Sequence, residues 1–236
     1  MWLMRTEIPY DFMPPEQHFD SPEELLSAVM LYMQTRELVD GDDRFCLPDG
    51  MFEKMEDGDG HYLLIPATSD LAYLFRGQGA FYRDCLPTLF RKEWNPLDLF
   101  IERMRVVEFE LMLHHFPAVR YFLREHLMVD YVGLAQHYGL LTDVLDLTSD
   151  VHTALFFAMC DYDSVSDSYT AKKEDKEYIG YLYAYPAVAP AMQNGSSAFG
   201  RFLKEDLRVI GLQPFIRPGA QRGFSFHCTK DNPFKG

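Results

Sequence analysis

Helical periodicity in this chain is concentrated in the middle, and strand-like patterns flank it on both sides. Asn95 reads as a helix N-cap with Pro96 in the first turn. Leu97, Phe100, Ile101, Met104, Val107, Leu111 and Met112 then recur as a wide apolar stripe, which predicts a helix with that face in the core. Pro117 lacks the N–H a continuing helix needs, so a second helix is expected over 118–127. Shorter helical pieces are expected over 131–138 and 151–160, the latter capped by Asp150. Short strand patterns precede this block at 61–66 and 71–75, joined by a turn at 67–70, and follow it at 178–185, 206–211 and 223–228. A βαβ repeat would alternate the two patterns, whereas here they are segregated. The class this predicts is α+β, with short, mostly antiparallel strands flanking a helical middle.

Upstream, residues 1–20 carry three prolines and read as a surface arm. Ser21, Pro22 and Glu24 form a capping-box start for a helix that should run to about Val39. The Asp/Gly-rich run ending in EDGDG at 56–60 departs from the EF-hand spacing and reads as a solvated turn between two strands. Residues 161–177 are polar and highly charged and are expected to be a mobile loop, as is 194–200.

At 236 residues the chain can bury a core without metal or disulfide staples. Cys46, Cys85, Cys160 and Cys228 form no CxxC pair, which argues for reduced, buried thiols rather than a zinc knuckle. Lys and Arg number 22 against 36 Asp and Glu, a formal charge of −14 that repels phosphate backbones, so no direct nucleic-acid partner is expected. No run approaches the roughly 18 apolar residues of a membrane span, and the first residues lack a secretory leader pattern. The expected location is the cytoplasm, away from membranes.

Three segments place polar residues in apolar surroundings. Arg76-Gly77-Gln78-Gly79 follows the 71–75 strand; a strand-end guanidinium suits phosphate or carboxylate, and the glycines leave room for a ligand. Taken alone, the Arg-Gly pair reads first as an ordinary turn with a surface arginine. In Gly133–Ala158, Gln136, His137, Thr142, Asp143, Asp146, Thr148 and Ser149 interrupt Leu, Val, Ala and Phe. Buried polar groups must be paired, so a hydrogen-bonded network is expected, either structural or lining a site. In it Asp146 caps a turn or accepts from Arg76 or His137. In the third segment Gln221 and Gly223 precede an alternating strand, where the glutamine meets a ligand or holds a turn. HExxH, GxSxG, P-loop and dinucleotide-loop patterns are absent, and Glu110 with His114 lacks the second pair a metal site needs, so no metal is expected.

Taken together these segments resemble the FRG domain, named for its Phe/Tyr-Arg-Gly motif. The likeness runs from Phe75-Arg76-Gly77-Gln78 through Leu86-Pro87-Thr88-Leu89-Phe90-Arg91, and includes Glu108 in the long helix. It continues through Leu134-Ala135-Gln136-His137-Tyr138-Gly139 and Leu145-Asp146-x-Thr148 with Ala154-Leu155-Phe156-Phe157-Ala158, and closes at Gln221-x-Gly223-x-x-Phe226. Leu141-Thr142-Asp143 stands where the family usually has Pro-Thr-Arg, and Leu147 where it usually has Trp. On this reading an N-terminal arm, helix and strand extension over 1–66 precedes an FRG-like domain over 67–236.

A weaker likeness links the order of Arg76-Gly77, Thr148-Ser149 and the following helix to ADP-ribosyltransferases, and implies a fold of that kind. It implies NAD as the small-molecule nucleotide, with a protein acceptor in an effector or defence role. Arg76, Gly77, Gln78, Gln136, Thr148 and Ser149 would then bind the cofactor, and His137, Asp146 and Gln221 would stand at the chemistry. Gln221 occupies the place of that family's late catalytic glutamate and carries no charge, so the alternative is a non-catalytic sensor module for a nucleotide or small anion.

Overall fold

The computed structural model describes residues 2–6, 16–33, 52–56, 60–66, 73–163, 165–172, 180–186, 207–229 and 234–235. In chain order these contain β1 (Trp2–Thr6), β2 (Glu16–Phe19), α1 (Pro22–Met33), β3 (Phe52–Glu56), β4 (Tyr62–Pro66), β5 (Tyr73–Gln78) and β6 (Asp84–Cys85). A 3-10 turn (Thr88–Phe90) leads to α2 (Pro96–Leu113), α3 (Pro117–Arg124), α4 (Tyr131–His137), β7 (Val144–Thr148) and α5 (Val151–Met159). The chain continues through β8 (Cys160–Asp163), β9 (Ser168–Ala171), β10 (Gly180–Pro186), β11 (Leu207–Val209), α6 (Ile216–Ala220), β12 (Gly223–His227) and β13 (Phe234–Lys235).

One seven-stranded sheet organises the molecule, in the order β11-β12-β7-β5-β10-β1-β2. All its pairings are antiparallel except β1 with β10. The class is α+β. Both faces of the sheet are covered. Tyr73, Phe75, Leu182 and Ala184 pack beneath α1 and α5, against Leu25, Val29, Ala154, Leu155 and Ala158. On the opposite face Leu74, Leu145, Leu147, Tyr183, Phe224 and Phe226 form a second core. Burial on both faces is why Ser225 is as buried as the phenylalanines beside it.

The start signals act locally, as their side chains dictate. Ser21 Oγ accepts from the Glu24 N–H at 3.1 Å, and Glu24 reaches back to the Asp20 N–H. Asn95 caps α2 through the Asp98 N–H, and Asp150 caps α5 through the N–H groups of His152 and Thr153. Pro117 separates α2 from α3.

Several elements differ from the expectation. The Arg76 strand is longer than 71–75 and includes Arg76, Gly77 and Gln78 within its ladder against β10. β4 pairs antiparallel with β3, not with β5; the expected turns at 57–59 and 67–70 lie outside the described residues, as do 34–39, 194–200 and Cys46. Val144–Thr148 is a strand, because its alternation is masked when both faces are buried. The expected loop after Cys160 is instead a hairpin, β8 with β9, in which Tyr162 pairs with Tyr169. Asp163 nucleates its turn by accepting from the Val165 N–H and the Ser166 hydroxyl. Most telling, the wide stripe on α2 faces solvent: Leu97 is 67% exposed and Leu111 63%. The face of α2 that meets the body is the narrower one carrying Phe109 and Leu113, which pack with Leu134 of α4. No helix among the described residues is long and apolar enough to cross a membrane, and Cys85, Cys160 and Cys228 form no disulfide.

Candidate functional site

The site begins where the sheet opens. β5 and β7 are neighbours but share one register pair, Phe75 with Thr148. Beyond that pair the strands diverge, and the consecutive residues Phe75, Arg76, Gly77 and Asp146, Leu147, Thr148 line a cavity of about 420 Å³. His137, Gln221 and Arg91 complete one side of it, and Thr153, Ala154, Phe157, Cys160, Tyr162 and Tyr169 the other.

Arg76 bridges the opening. Its Nη1 donates to the Asp146 carbonyl at 2.7 Å, taking the place of the strand partner that β7 has lost. With the Gln78 amide oxygen turned toward it, Nε and Nη2 donate at 2.9 and 3.2 Å. Burial lowers the Arg76 pKa and the Asp146 carboxylate opposes that shift; a guanidinium remains a cation under any ordinary condition. Arg91, the second cation on the cavity, donates Nε to the Leu86 carbonyl at 3.1 Å. It is placed by the preceding turn, where the Leu89 N–H donates to the Thr142 carbonyl and Thr88 Oγ1 accepts from the Thr142 N–H.

Gly77 is required by packing. A Cβ there would sit 1.6 Å from the Ala154 carbonyl oxygen and 3.0 Å from the Ala158 nitrogen, so the glycine lets α5 lie directly on β5. The room expected for a ligand is taken by a helix on that face. Gly139 has a comparable structural cause. The N–H of Gly139 bonds the Gln136 carbonyl and that of Leu140 bonds the Ala135 carbonyl, with φ at +86°. This is a Schellman ending, which only a residue at ease in the left-handed region closes cheaply. It leaves His137 as the last residue of α4, turned into the cavity.

His137 is buried, and its Nε2 lies 3.9 Å from Asp146 Oδ1, beyond hydrogen-bonding range. Both atoms are buried and neither has a partner. Burial lowers the His137 pKa, outweighing the Asp146 carboxylate that pulls it up, so the imidazole is neutral near pH 7. One further group between the two atoms, such as a ligand hydroxyl, would satisfy both. A Cβ at Gly223 would come within 3.2 Å of Nε2, a tight contact that the glycine avoids.

The remaining expected site residues divide. Thr148 and Gln221 reach the cavity, but the Thr148 hydroxyl donates its one proton to the Gln221 carbonyl at 2.7 Å and accepts from the Asp150 N–H. Thr148 thereby fixes the turn that carries Gln221, a turn completed by Arg222 at a φ of +47°. Gln136 points elsewhere: its amide oxygen accepts from Thr142 Oγ1. Ser149 Oγ is buried without a partner, and Ser149 does not line the cavity. Gln78 supports the Arg76 guanidinium from behind.

Arg91 and the aromatic residues Tyr162 and Tyr169 had been assigned no role from sequence. Rings of Phe157 and Tyr169 meet edge to face at 5.8 Å and those of Tyr162 and Tyr169 lie tilted at 5.0 Å, forming an aromatic wall on one side of the cavity. The signal was present as two tyrosines flanking an Asp/Ser turn, hidden by the charge around them. Among the described residues no group of three or more His, Cys, Asp or Glu could hold a metal ion, and His114 stacks on Tyr131 instead.

Comparison with known proteins agrees with this geometry only at the level of the family. No curated protein and no solved structure matches the chain. Residues 71–167 match the family model of the FRG domain, a span running from β5 through α5 into the β8–β9 turn. The strand opening, Arg76, His137, Asp146, Phe157 and Tyr162 lie within it, whereas Tyr169 and Gln221 lie beyond it, and over residues 71–167 the chain is similar to the FRG domain.

Proposed function

We propose that the cavity between β5 and β7 binds a dinucleotide of the NAD class and breaks the bond between nicotinamide and its ribose, the step common to NAD hydrolysis and ADP-ribosyl transfer. The observation that carries this reading is the meeting, in one cavity, of the Arg76 guanidinium with the unpartnered His137 Nε2 and Asp146 Oδ1. Arg76 and Arg91 supply positive charge for a pyrophosphate. The rings of Phe157, Tyr162 and Tyr169 supply a surface for a planar heterocycle. Asp146 and His137 supply an acceptor and a donor for a ribose hydroxyl.

The chemistry asks for negative charge beside the ribose carbon as its bond to nitrogen stretches. The bonding electrons leave with the pyridinium nitrogen, so nicotinamide departs neutral while the sugar gains cationic character. Asp146 stabilises that cation, and an oxygen nucleophile then bonds to the carbon. Its proton passes to the Asp146 carboxylate, and from there to solvent.

The test is nicotinamide release from NAD by the full chain. Asp146→Asn is expected to slow release by on the order of 10²- to 10³-fold while NAD still raises the melting temperature. A protein that neither releases nicotinamide nor is stabilised by NAD would sink the proposal. The uncharged Gln221 favours a second reading, a binding module that uses the same cavity without turnover; stabilisation by NAD with no release at any enzyme concentration would select it.

A further inference from the structure

The α2 helix carries two apolar stripes, and the body of the molecule uses one. Leu99, Val106, Phe109 and Leu113 turn toward the body. Leu97, Phe100, Met104, Val107 and Leu111 lie on the roughly opposite side, spaced three, four, three and four residues apart. That spacing is the heptad seam of a helix packed along another helix. The seam residues are 43 to 67% exposed. With 18 residues the helix is about 27 Å long, so the seam forms a continuous apolar strip of a kind monomers rarely leave in water.

We infer that a second copy of this chain covers this strip, with two α2 helices packed antiparallel about a two-fold axis. The charges beside the seam select this occupant. Arg103 and Glu110 flank the same edge of the stripe, seven residues apart and so two turns from each other along the helix. When the helices run in opposite directions, Phe100 meets Leu111 of the other copy, Met104 meets Val107, and Arg103 meets Glu110. Two-fold symmetry makes each contact twice. An antiparallel pair also sets the helix dipoles head to tail. Nothing in this arrangement involves the cavity, so it stands apart from the NAD reading.

Sedimentation of the full chain at tens of micromolar should give twice 27.5 kDa. Met104→Glu places a charge in the seam and should weaken association by on the order of 100-fold, with the far-ultraviolet circular dichroism unchanged. Arg103→Glu and Glu110→Arg should each weaken the dimer, and the double variant should restore it. These two positions are at the edge of the stripe, so the charge-swap series remains decisive even if Met104→Glu fails to fold. A wild-type chain that stays monomeric at about 100 μM, as it would if another part of the same chain or a different protein covers α2, overturns the proposal. So does a dimer indifferent to Met104→Glu, or a double swap weaker than either single one.

Discussion

A methyl group at position 77 would have to occupy the space of the Ala154 carbonyl, 1.6 Å away. The obstacle is backbone in both elements, so no side-chain rotation relieves it, and α5 must lift off β5. Gly77→Ala is therefore expected to destabilise the protein by about 3 kcal/mol or more, read from the midpoint of urea unfolding. An unchanged midpoint would mean that α5 does not lie on β5 as described. The neighbouring Arg76 shows how two causes share one motif: the arginine spans the opening between strands, and the glycine admits the helix. From sequence both looked like ligand contacts, because a string of letters carries no information about which face of a strand a helix will cover. His137 and Asp146 were legible as a polar pair in an apolar run. That their facing atoms stop 3.9 Å apart was not.

Helix starts were readable because capping is local: the donor and acceptor lie within four residues of each other. The Asp150 carboxylate accepts from two backbone N–H groups and from the Thr153 hydroxyl at 2.8 Å. Asp150→Ala should cost about 1 kcal/mol, which for a chain of this size lowers the melting temperature by roughly 2–4 °C. Because α5 forms one wall of the cavity, the same variant tests whether that wall needs its cap; a melting curve identical to wild type would show that tertiary packing alone fixes the first turn. The α2 stripe shows the limit of the same reasoning. Periodicity identifies an apolar face correctly, but it is silent on whether that face meets the body of its own chain. The β8–β9 hairpin differs for the opposite reason: its stabilising contacts are tilted ring pairs, Tyr162 with Tyr169 across the strands and Phe156 of α5 with Tyr169, and composition averages hide them.

For the molecule as a whole, burial of titratable groups sets how stability follows pH. The His137 pKa is lowered by burial from 6.5, so the unfolded chain binds the proton more readily than the folded one. Stability is then full above pH 6.5 and falls as the pH drops below it, until the folded imidazole itself protonates. Asp130, whose pKa burial raises from 3.8, acts with the opposite slope, losing stability as pH rises through its folded value. His137→Gln should flatten the decline just below pH 6.5 in urea titrations; a decline of unchanged slope would place its origin in another group. The sequence alone determined the class of fold, the helix boundaries at Asn95, Pro117 and Asp150, and the set of polar residues that had to be paired. These follow from contacts between near neighbours and from the cost of burying any polar group. Only the tertiary structure decided that β5 and β7 part after one pair, that the cavity lies in that gap, and which side of each motif faces it. Those outcomes depend on strands about 70 residues apart in sequence, where register and face are set by the whole core at once.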